Sequence, residues 1–305
     1  MNAIWSNAGQ SSIVDQATGE LASTGFAILR SVVDPSLIQA LSRELDERFE
    51  RTDCCDGLFF GKQTKRLHGL LKRTTLSSNL VLEPQILEIA EAMLLPYCDA
   101  IQLNLTQAIE IYPGEPAQAP HRDQDMWQRP VAGTEYLVNV MWPMTPFTRE
   151  NGATRLWAGT HEDLSIRRPA LDHAVIAEML PGDALIYLGS VIHGAGANGS
   201  NAPRRGLVIS YSLGWLKPFE NMSLTYPPSV AKQFSKPLAD LVGYRCHVGS
   251  LGNHDGNCPS LLLKDEADEF RGASEVMSAE HQRVLGHFAS AQNWPESAKP
   301  QEVAR

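Results

Sequence analysis

Long hydrophobic runs are absent from this chain of 305 residues. A membrane-spanning helix needs about 20 largely apolar residues in a row, so no membrane span is expected. The first ten residues, MNAIWSNAGQ, have neither a basic start nor a long apolar run, which argues against a secretory signal peptide. We therefore expect a cytoplasmic protein.

The chain also lacks an excess of positive charge. It has 26 Lys and Arg residues against 35 Asp and Glu residues, a formal net charge of -9. Such a balance disfavours binding to the phosphates of nucleic acids and to anionic lipid surfaces. The sequence therefore predicts a small-molecule substrate and no nucleic-acid or membrane partner, and it leaves a homodimer open.

Paired cysteine motifs are missing as well. The five cysteines form no C-x-x-C pair and their number is odd, so neither a disulfide framework nor a zinc ribbon is indicated. Cys246, His247, His254 and Cys258 cluster loosely, but their spacing fits no common zinc pattern. Reduced cytosolic thiols are expected instead.

The chain has the pattern of a soluble β-rich protein, with 43% hydrophobic and 20% charged residues. Helices are predicted over about 35–50 and 84–94, where apolar residues recur at three- and four-residue steps or follow a Pro start. Six later runs rich in β-branched and alternating apolar residues are separated by Gly, Pro and Asn turns. These runs are Ala100–Tyr112, Glu135–Met144, Thr154–Ala158, Ala174–Leu180, Ala184–Ile192 and Gly206–Trp215. The pattern predicts a mainly β fold with flanking helices, of the α+β class, with a sandwich or jelly-roll core.

We expect this fold to form a single domain over residues 1–305, with its core at about 20–260. Residues 51–80 mix charges, glycines and aromatics without steady periodicity, which predicts a long loop suited to act as a lid. A polar C-terminal extension is expected over about 261–305.

The stretch A-P-H-R-D-Q-D-M-W, at residues 119–127, admits three interpretations: a kinase catalytic loop, part of a metal site, or an exposed polar turn. A kinase loop requires Asn where this chain has Gln128, and the chain contains no D-F-G or A-P-E. A second chance match, G-A-G-A-N-G at residues 194–199, lacks the following helix that a dinucleotide-binding loop needs. The metal interpretation is the one that the rest of the chain supports.

The metal interpretation starts from the spacing of His121 and Asp123. Residues i and i+2 of a strand point the same way, so both side chains can face one pocket, while Asp125 shares that parity one step farther on. His193, at the end of the apolar run 184–192, is best placed as the third catalytic metal ligand. Two imidazoles and one carboxylate on one face of an octahedron leave three positions open, as in non-haem Fe(II) oxygenases. The rival histidines are His68, His161 and His173.

A 2-oxoglutarate co-substrate would need a cation for its distal carboxylate, and arginine offers a permanently charged, bidentate partner. Arg204 follows His193 after one short turn, at the start of the next predicted strand. Its neighbour Arg205 is the rival, but strand neighbours face opposite ways, so only one of the two can point inward. We predict that Arg204 is the one that does.

Together these residues resemble the Fe(II)/2-oxoglutarate-dependent dioxygenases, above all the phytanoyl-CoA dioxygenase family. The segments Y-P-G-E-P-A-Q-A-P-H-R-D, E-N-G-A-T-R-L-W-A-G-T-H, P-G-D-A-L-I-Y and Y-P-P-S-V-A-K share the likeness, over roughly residues 20–260. The resemblance implies a double-stranded β-helix, a cupin-like jelly roll, that uses Fe(II), 2-oxoglutarate and O2. By position it implies that Gln118 and Thr154 also contact 2-oxoglutarate. Where the family has P-G-S-H this chain has A-G-T-H, a departure expected to affect only a turn.

The implied function is oxidative decarboxylation of 2-oxoglutarate coupled to hydroxylation, desaturation or rearrangement of a small, largely apolar metabolite. The likeness to the natural-product branch favours a role in secondary metabolism. An alternative is an acyl-CoA hydroxylase, for which a basic patch would be favoured; another is a non-catalytic metal-binding or sensor protein on the same scaffold. The residues available for a basic patch are Lys62, Lys65, Arg66, Lys72 and Arg73. The predicted substrate contacts are Phe59, Phe60, Lys72 and Trp127.

Overall fold

The computed structural model describes residues 7–264 and 270–292. Its strands are β1 (Phe26–Leu29), β2 (Thr64–His68), β3 (Ile101–Ile111), β4 (Leu137–Pro143), β5 (Thr154–Trp157), β6 (Val175–Ile176), β7 (Ala184–Leu188), β8 (Ile192–Ala195) and β9 (Arg204–Leu213). Its helices are α1 (Asn7–Thr24), α2 (Pro35–Arg51), α3 (Ser77–Val81), α4 (Pro84–Leu94), α5 (Met222–Thr225), α6 (Pro228–Ala231), α7 (Lys236–Leu241) and α8 (Ala279–Ala291).

The chain forms two compact units, Met1–Gly243 and Tyr244–Arg305. All the strands named above belong to the first unit, while α8 lies in the second and buries none of its described side chains. Of the predicted polar extension over 261–305, part lies outside the described residues. The prediction of one domain over the whole chain stays a prediction.

Two antiparallel sheets form the centre of the first unit. The larger has the strand order β1-β7-β4-β9-β3-β2 and the smaller has the order β6-β5-β8. Apolar side chains from both sheets pack into one core, among them Leu156 of β5, Leu185 of β7 and Val208 of β9. The predicted mainly β architecture with flanking helices is confirmed.

The two helices predicted from the sequence begin at prolines whose preceding acid caps them. The Asp34 side chain accepts a hydrogen bond of 2.7 Å from the Ser36 N–H, and Glu83 accepts one of 2.8 Å from the Ile86 N–H. An acidic side chain at this position satisfies an N–H that the helix itself leaves unpaired. Within the described residues, no helix combines the length and apolarity that crossing a membrane requires.

The fold differs from the sequence-based expectation at two places that matter for the site. The expected loop over 51–80 contains β2, which pairs with the 107–111 half of β3 as the edge of the larger sheet. The apolar run 184–192 is not one strand, because the chain leaves β7 of the larger sheet and enters β8 of the smaller one. His193 is therefore the second residue of β8 and does not end the preceding strand.

Register partners on β5 and β6 give a matched test of the core. Leu156 is fully buried, whereas its partner Val175 is 43% exposed. We expect Leu156→Ala to lower the free energy of unfolding by about 2–5 kcal/mol, since it leaves a cavity between the sheets. Val175→Ala should change it by no more than about 0.5 kcal/mol. Urea unfolding of both variants checks this, and equal losses would contradict the assignment of the core.

Candidate metal centre

The main chain brings two histidines together. The His121 N–H donates to the His193 carbonyl at 3.0 Å, and the His193 N–H donates to the His121 carbonyl at 2.9 Å. The two residues therefore form a hydrogen-bonded pair of an antiparallel sheet, and residues directly opposite each other in such a pair have their side chains on the same face. Their ring centroids lie 4.4 Å apart. The segment before Asp123 thus extends the smaller sheet by one residue pair.

Both imidazoles present the same nitrogen to the pocket. The Nδ1 of His121 lies 2.9 Å from the Ala119 carbonyl oxygen, and the Nδ1 of His193 lies 3.2 Å from that of Val191. A carbonyl oxygen can only accept, so each Nδ1 carries the proton. The Nε2 lone pairs are left free, which is the state that a metal ligand requires.

Asp123 completes the group from a different kind of element. It begins a 3-10 turn, Asp123–Trp127, so the strand parity that predicted its orientation does not apply. Its Oδ1 lies 3.3 Å from His121 Nε2 and its Oδ2 lies 3.4 Å from His193 Nε2. Burial opposes ionisation of Asp123, but the neighbouring imidazoles outweigh it and hold the pKa of this carboxyl well below its ordinary value.

These three side chains form a site that fits a metal ion. One possible ligand atom from each lies within 4.8 Å of the others, and in the part of the chain that the structure describes no other group of three does so. The loose cluster around Cys246 and Cys258 is therefore not such a group. Three ligands on one side leave the remaining octahedral positions to other molecules.

The neighbours of Asp123 point elsewhere. Arg122 is buried and donates to four backbone carbonyls, those of Thr160, Asp163, Ile166 and Ser190, so it faces away from the triad. Asp125 lies at the surface 3.3 Å from Arg167. Of the two aspartates in the motif, the structure brings only Asp123 to the histidines.

The two adjacent arginines of β9 face opposite sides, as strand geometry requires. Arg204 is buried, lines the same pocket as the triad, and stacks 4.3 Å from the Phe147 ring centroid. Arg205 faces away and pairs with Glu110 and Asp46, each at 2.6 Å. Arg204 is therefore the arginine available to a ligand in this pocket.

Arg204 is poorly satisfied by the protein itself. Its Nη1 donates to the Gly152 carbonyl at 2.6 Å, its buried Nε has no hydrogen-bond partner, and no described carboxylate pairs with it. Burial, with the nearby positive charge of Arg66, lowers the pKa of Arg204 to about 9. A buried cation without a counter-ion is costly, so the site is incomplete without an anion.

Arg66, which the sequence offered only as part of a basic patch for an acyl-CoA, is a pocket residue. It lies on β2, donates to the Gln107 amide oxygen at 2.7 Å, and sits 5.1 Å from the Phe60 ring centroid. Burial is the largest single effect on the pKa of His121 and lowers it, but the Asp123 carboxylate and the Ala119 carbonyl together raise it above its ordinary value, and the charge of Arg66 opposes that rise. Only the pairing of β2 with β3 could have revealed this residue, and its sequence pattern gives no sign of that pairing.

The other predicted site residues divide into two groups. Gln118, Thr154, Phe59 and Phe60 line the pocket. The Gln118 amide bridges the Phe59 carbonyl, at 3.2 Å, and the Ala195 N–H, at 3.3 Å. The contacts of Gln118 and Thr154 with a co-substrate stay predictions.

Lys72 and Trp127, in contrast, lie outside the pocket lining. Lys72 is exposed at the end of the 3-10 turn Leu70–Lys72. Trp127 ends the turn that begins at Asp123, and its indole N–H donates to the Lys217 carbonyl at 2.9 Å. Met126, one residue earlier, takes the place that faces the pocket.

Comparison with known proteins identifies the family. Residues 21–206 match the phytanoyl-CoA dioxygenase (PhyH) family. The chain belongs to the phytanoyl-CoA dioxygenase family. Dioxygenase trt7 of Aspergillus terreus is 32% identical over 75% of this chain and 84% of its own length. Multifunctional dioxygenase prhA of Penicillium brasilianum is 28% identical over 73% and 80%. The predictions of this family and of a dioxygenase are confirmed.

Solved structures share the fold of this family member. The epimerase SnoN, solved in complex with Fe3+, alpha ketoglutarate and nogalamycin RO, has a TM-score of 0.54 at 15% identity, covering 67% of this chain and 85% of its own. HygX from Streptomyces hygroscopicus, solved with nickel and 2-oxoglutarate, has a TM-score of 0.53 at 14% identity, covering 67% and 88%. The predicted jelly-roll fold is thereby confirmed.

The two arginines of β9 should have opposite effects on stability. Arg204→Met removes a buried charge without a counter-ion and should raise the free energy of unfolding by about 1 kcal/mol or more. Arg205→Met leaves the buried Glu110 carboxylate without its cation, with only the Tyr112 hydroxyl still donating to it, and should lower the free energy of unfolding by about 3–5 kcal/mol. Urea unfolding in the absence of metal and 2-oxoglutarate measures both. A loss of stability in Arg204→Met as large as in Arg205→Met would contradict the asymmetry.

Proposed function

We propose that this protein is a non-haem Fe(II)- and 2-oxoglutarate-dependent dioxygenase in which His121, Asp123 and His193 hold the iron. When bound, the iron and O2 would oxidise 2-oxoglutarate to succinate and CO2 and supply the oxidant for a C–H bond of the substrate. The chain's own residues bind and orient both organic molecules and exclude water from the reacting centre. The donor set, two neutral imidazoles and one carboxylate, suits Fe(II) and leaves room for a chelating ligand.

The observation that carries this proposal is the unsatisfied guanidinium of Arg204. Arg204 lines the pocket that contains the triad, and its Nε has no hydrogen-bond partner. A ligand carboxylate would supply both the missing hydrogen bond and the missing negative charge. Asp123 is the only acidic residue in the described lining of that pocket. A metal-chelating acid with a second carboxylate therefore fits the charges of the site.

Arg66 provides a second cation for the same dianion. Arg66 and Arg204 lie on the two strands that flank β3, opposite Ile109 and Ile111. Neither guanidinium has a carboxylate partner among the described residues. We infer that Arg204 binds the distal carboxylate of 2-oxoglutarate and that Arg66, whose charge acts on Asp123, faces the carboxylate next to the metal.

The rest of the pocket favours a largely apolar substrate. Its wall beyond the triad is made by the side chains of Phe59, Phe60, Leu105, Met126, Leu137 and Phe219. Phe59 packs edge-on against the His121 ring with centroids 4.8 Å apart, so a substrate in contact with Phe59 lies next to the metal ligands. We propose a small apolar metabolite of secondary metabolism as the substrate.

The acyl-CoA alternative is less well supported. A CoA substrate would require free basic side chains at the pocket entrance, but Lys65 donates to the Phe49 carbonyl and Arg73 to the His68 carbonyl. Arg66 lies inside the pocket with the triad. Three of the five basic residues named from the sequence are thus engaged by separate contacts, while Lys62 and Lys72 are exposed. We also propose a cytoplasmic enzyme, in agreement with its five free cysteines.

Metal and co-substrate binding can be tested together. Anaerobic addition of Fe(II) and 2-oxoglutarate to the purified protein should produce a visible charge-transfer band, because the keto acid chelates the iron. The band should be absent from a double variant, Asp123→Ala with His193→Ala, and retained in Asp125→Ala. No band in the wild type, or a band that survives in the double variant, would refute the assignment. Succinate release under air then separates an enzyme from a non-catalytic binder.

The two guanidiniums can be tested separately from the metal. Arg204→Met and Arg66→Met should each weaken 2-oxoglutarate binding by at least about tenfold, since each removes a charge-assisted hydrogen bond in a buried site. Their affinity for Co(II) alone should stay within about threefold of the wild type, because neither residue is a ligand. Titration with Co(II), with and without 2-oxoglutarate, gives both values. Unchanged 2-oxoglutarate affinity in Arg204→Met would contradict its role.

A further inference from the structure

Asn139 joins the larger sheet to the triad. It lies in the middle of β4, is 1% exposed, and pairs with Tyr187 of β7 and Ser210 of β9. Its Nδ2 donates to Asp123 Oδ2 at 3.0 Å. An ionised carboxylate can only accept, so this contact also fixes which way the Asn139 amide points. The donor is rigid, because the strand that carries it is hydrogen-bonded on both sides.

Asp123 is the triad member that most needs such support. His121 and His193 are fixed by their mutual backbone pair and by their Nδ1 contacts. Asp123 instead begins a short 3-10 turn in which Gln124 is buried and donates its N–H to the Gly189 carbonyl at 3.1 Å, whereas Asp125 and Met126 are exposed. The turn alone would leave the carboxylate free to rotate about its side-chain torsions. The Asn139 donor removes that freedom from the opposite sheet.

We propose that Asn139 is a positioning residue that holds Asp123 as a one-oxygen metal ligand, with Oδ2 engaged by the amide and Oδ1 left for the metal. This role rests on the metal site proposed above. If both oxygens bound the metal, they would occupy two of six octahedral positions, and only two of the positions beyond the triad would remain. The hydrogen bond to Oδ2 therefore preserves the open position that O2 needs once 2-oxoglutarate is chelated.

A neighbouring ring completes the arrangement on the same sheet. Tyr187 is the register partner of Asn139, and its ring centroid lies 4.6 Å from that of His193. The larger sheet thus contacts the imidazole of His193 through an aromatic face and the carboxylate of Asp123 through a hydrogen bond. Of these two contacts only the second is directional, so it is the one that can select an oxygen of Asp123.

The test compares two buried amides of the same sheet. Asn139→Leu and Asn139→Ala remove the donor with and without preserving the volume, while Gln102→Leu removes an amide that bonds to the Leu213 and Leu216 carbonyls and does not line the pocket. Anaerobic Co(II) titration of the metal-free proteins should give a Kd that is about 10- to 100-fold higher for both Asn139 variants. Gln102→Leu should bind Co(II) as the wild type does.

The visible spectrum of bound Co(II) gives a second readout that a purely structural role would not change. The Asn139 variants should show a changed ligand-field spectrum, since a two-oxygen carboxylate alters the coordination of the ion, and Gln102→Leu should not. A Kd within about twofold of the wild type for a folded Asn139→Leu or Asn139→Ala, or an equal loss in Gln102→Leu, would overturn the proposal. Failure of the wild type to bind Co(II) would instead overturn the metal site itself.

Discussion

The reciprocal hydrogen bonds between the main chains of His121 and His193 are the constraint on which the site depends. They join the segment before the 3-10 turn to β8, and so set two imidazoles side by side before any metal is bound. The carbonyls that accept from each Nδ1 then decide which nitrogen is free. Backbone geometry thereby preorganises two metal ligands. The free-energy cost of ordering them is met when the smaller sheet folds and not when a ligand binds.

The charges of the other pocket residues determine which kind of ligand the site can bind. One carboxylate, Asp123, lines the same pocket as two guanidiniums, Arg66 and Arg204, neither of which has an acidic partner among the described residues. A divalent metal adds further positive charge, so the pocket is short of negative charge until an acid binds. Such a site gives up stability in the empty protein for affinity towards a dianionic ligand, the trade-off expected of binding sites in general.

Strand periodicity explains which site residues could be predicted from the sequence. Arg204 and its rival Arg205 were separable because neighbours on a strand face opposite ways. Arg66 and Asn139 could not be found in this way, because what they touch is decided by strand pairing between segments far apart in the chain. Lys72 and Trp127, predicted to contact the substrate, lie in 3-10 turns outside the pocket lining, and such a turn has no two-residue alternation from which to infer a facing side chain. Helix α1 was not predicted, although its buried residues Val14, Ala17 and Leu21 follow the three- and four-residue steps of a helix.

The two sheets therefore contribute differently to the proposed chemistry. The smaller sheet holds the imidazoles through its backbone, where any residue except proline could make the hydrogen bonds. The larger sheet reaches the site only through side chains, and there the identity of each residue matters: Arg66 on β2, Arg204 on β9 and Asn139 on β4. Substitutions that keep the fold can thus alter co-substrate binding or metal coordination separately. Because these side chains stand on strands that are fixed by their neighbours, a change at one should leave the others in position, while the charges of Arg66, Arg204 and Asp123 still couple their effects on ligand binding.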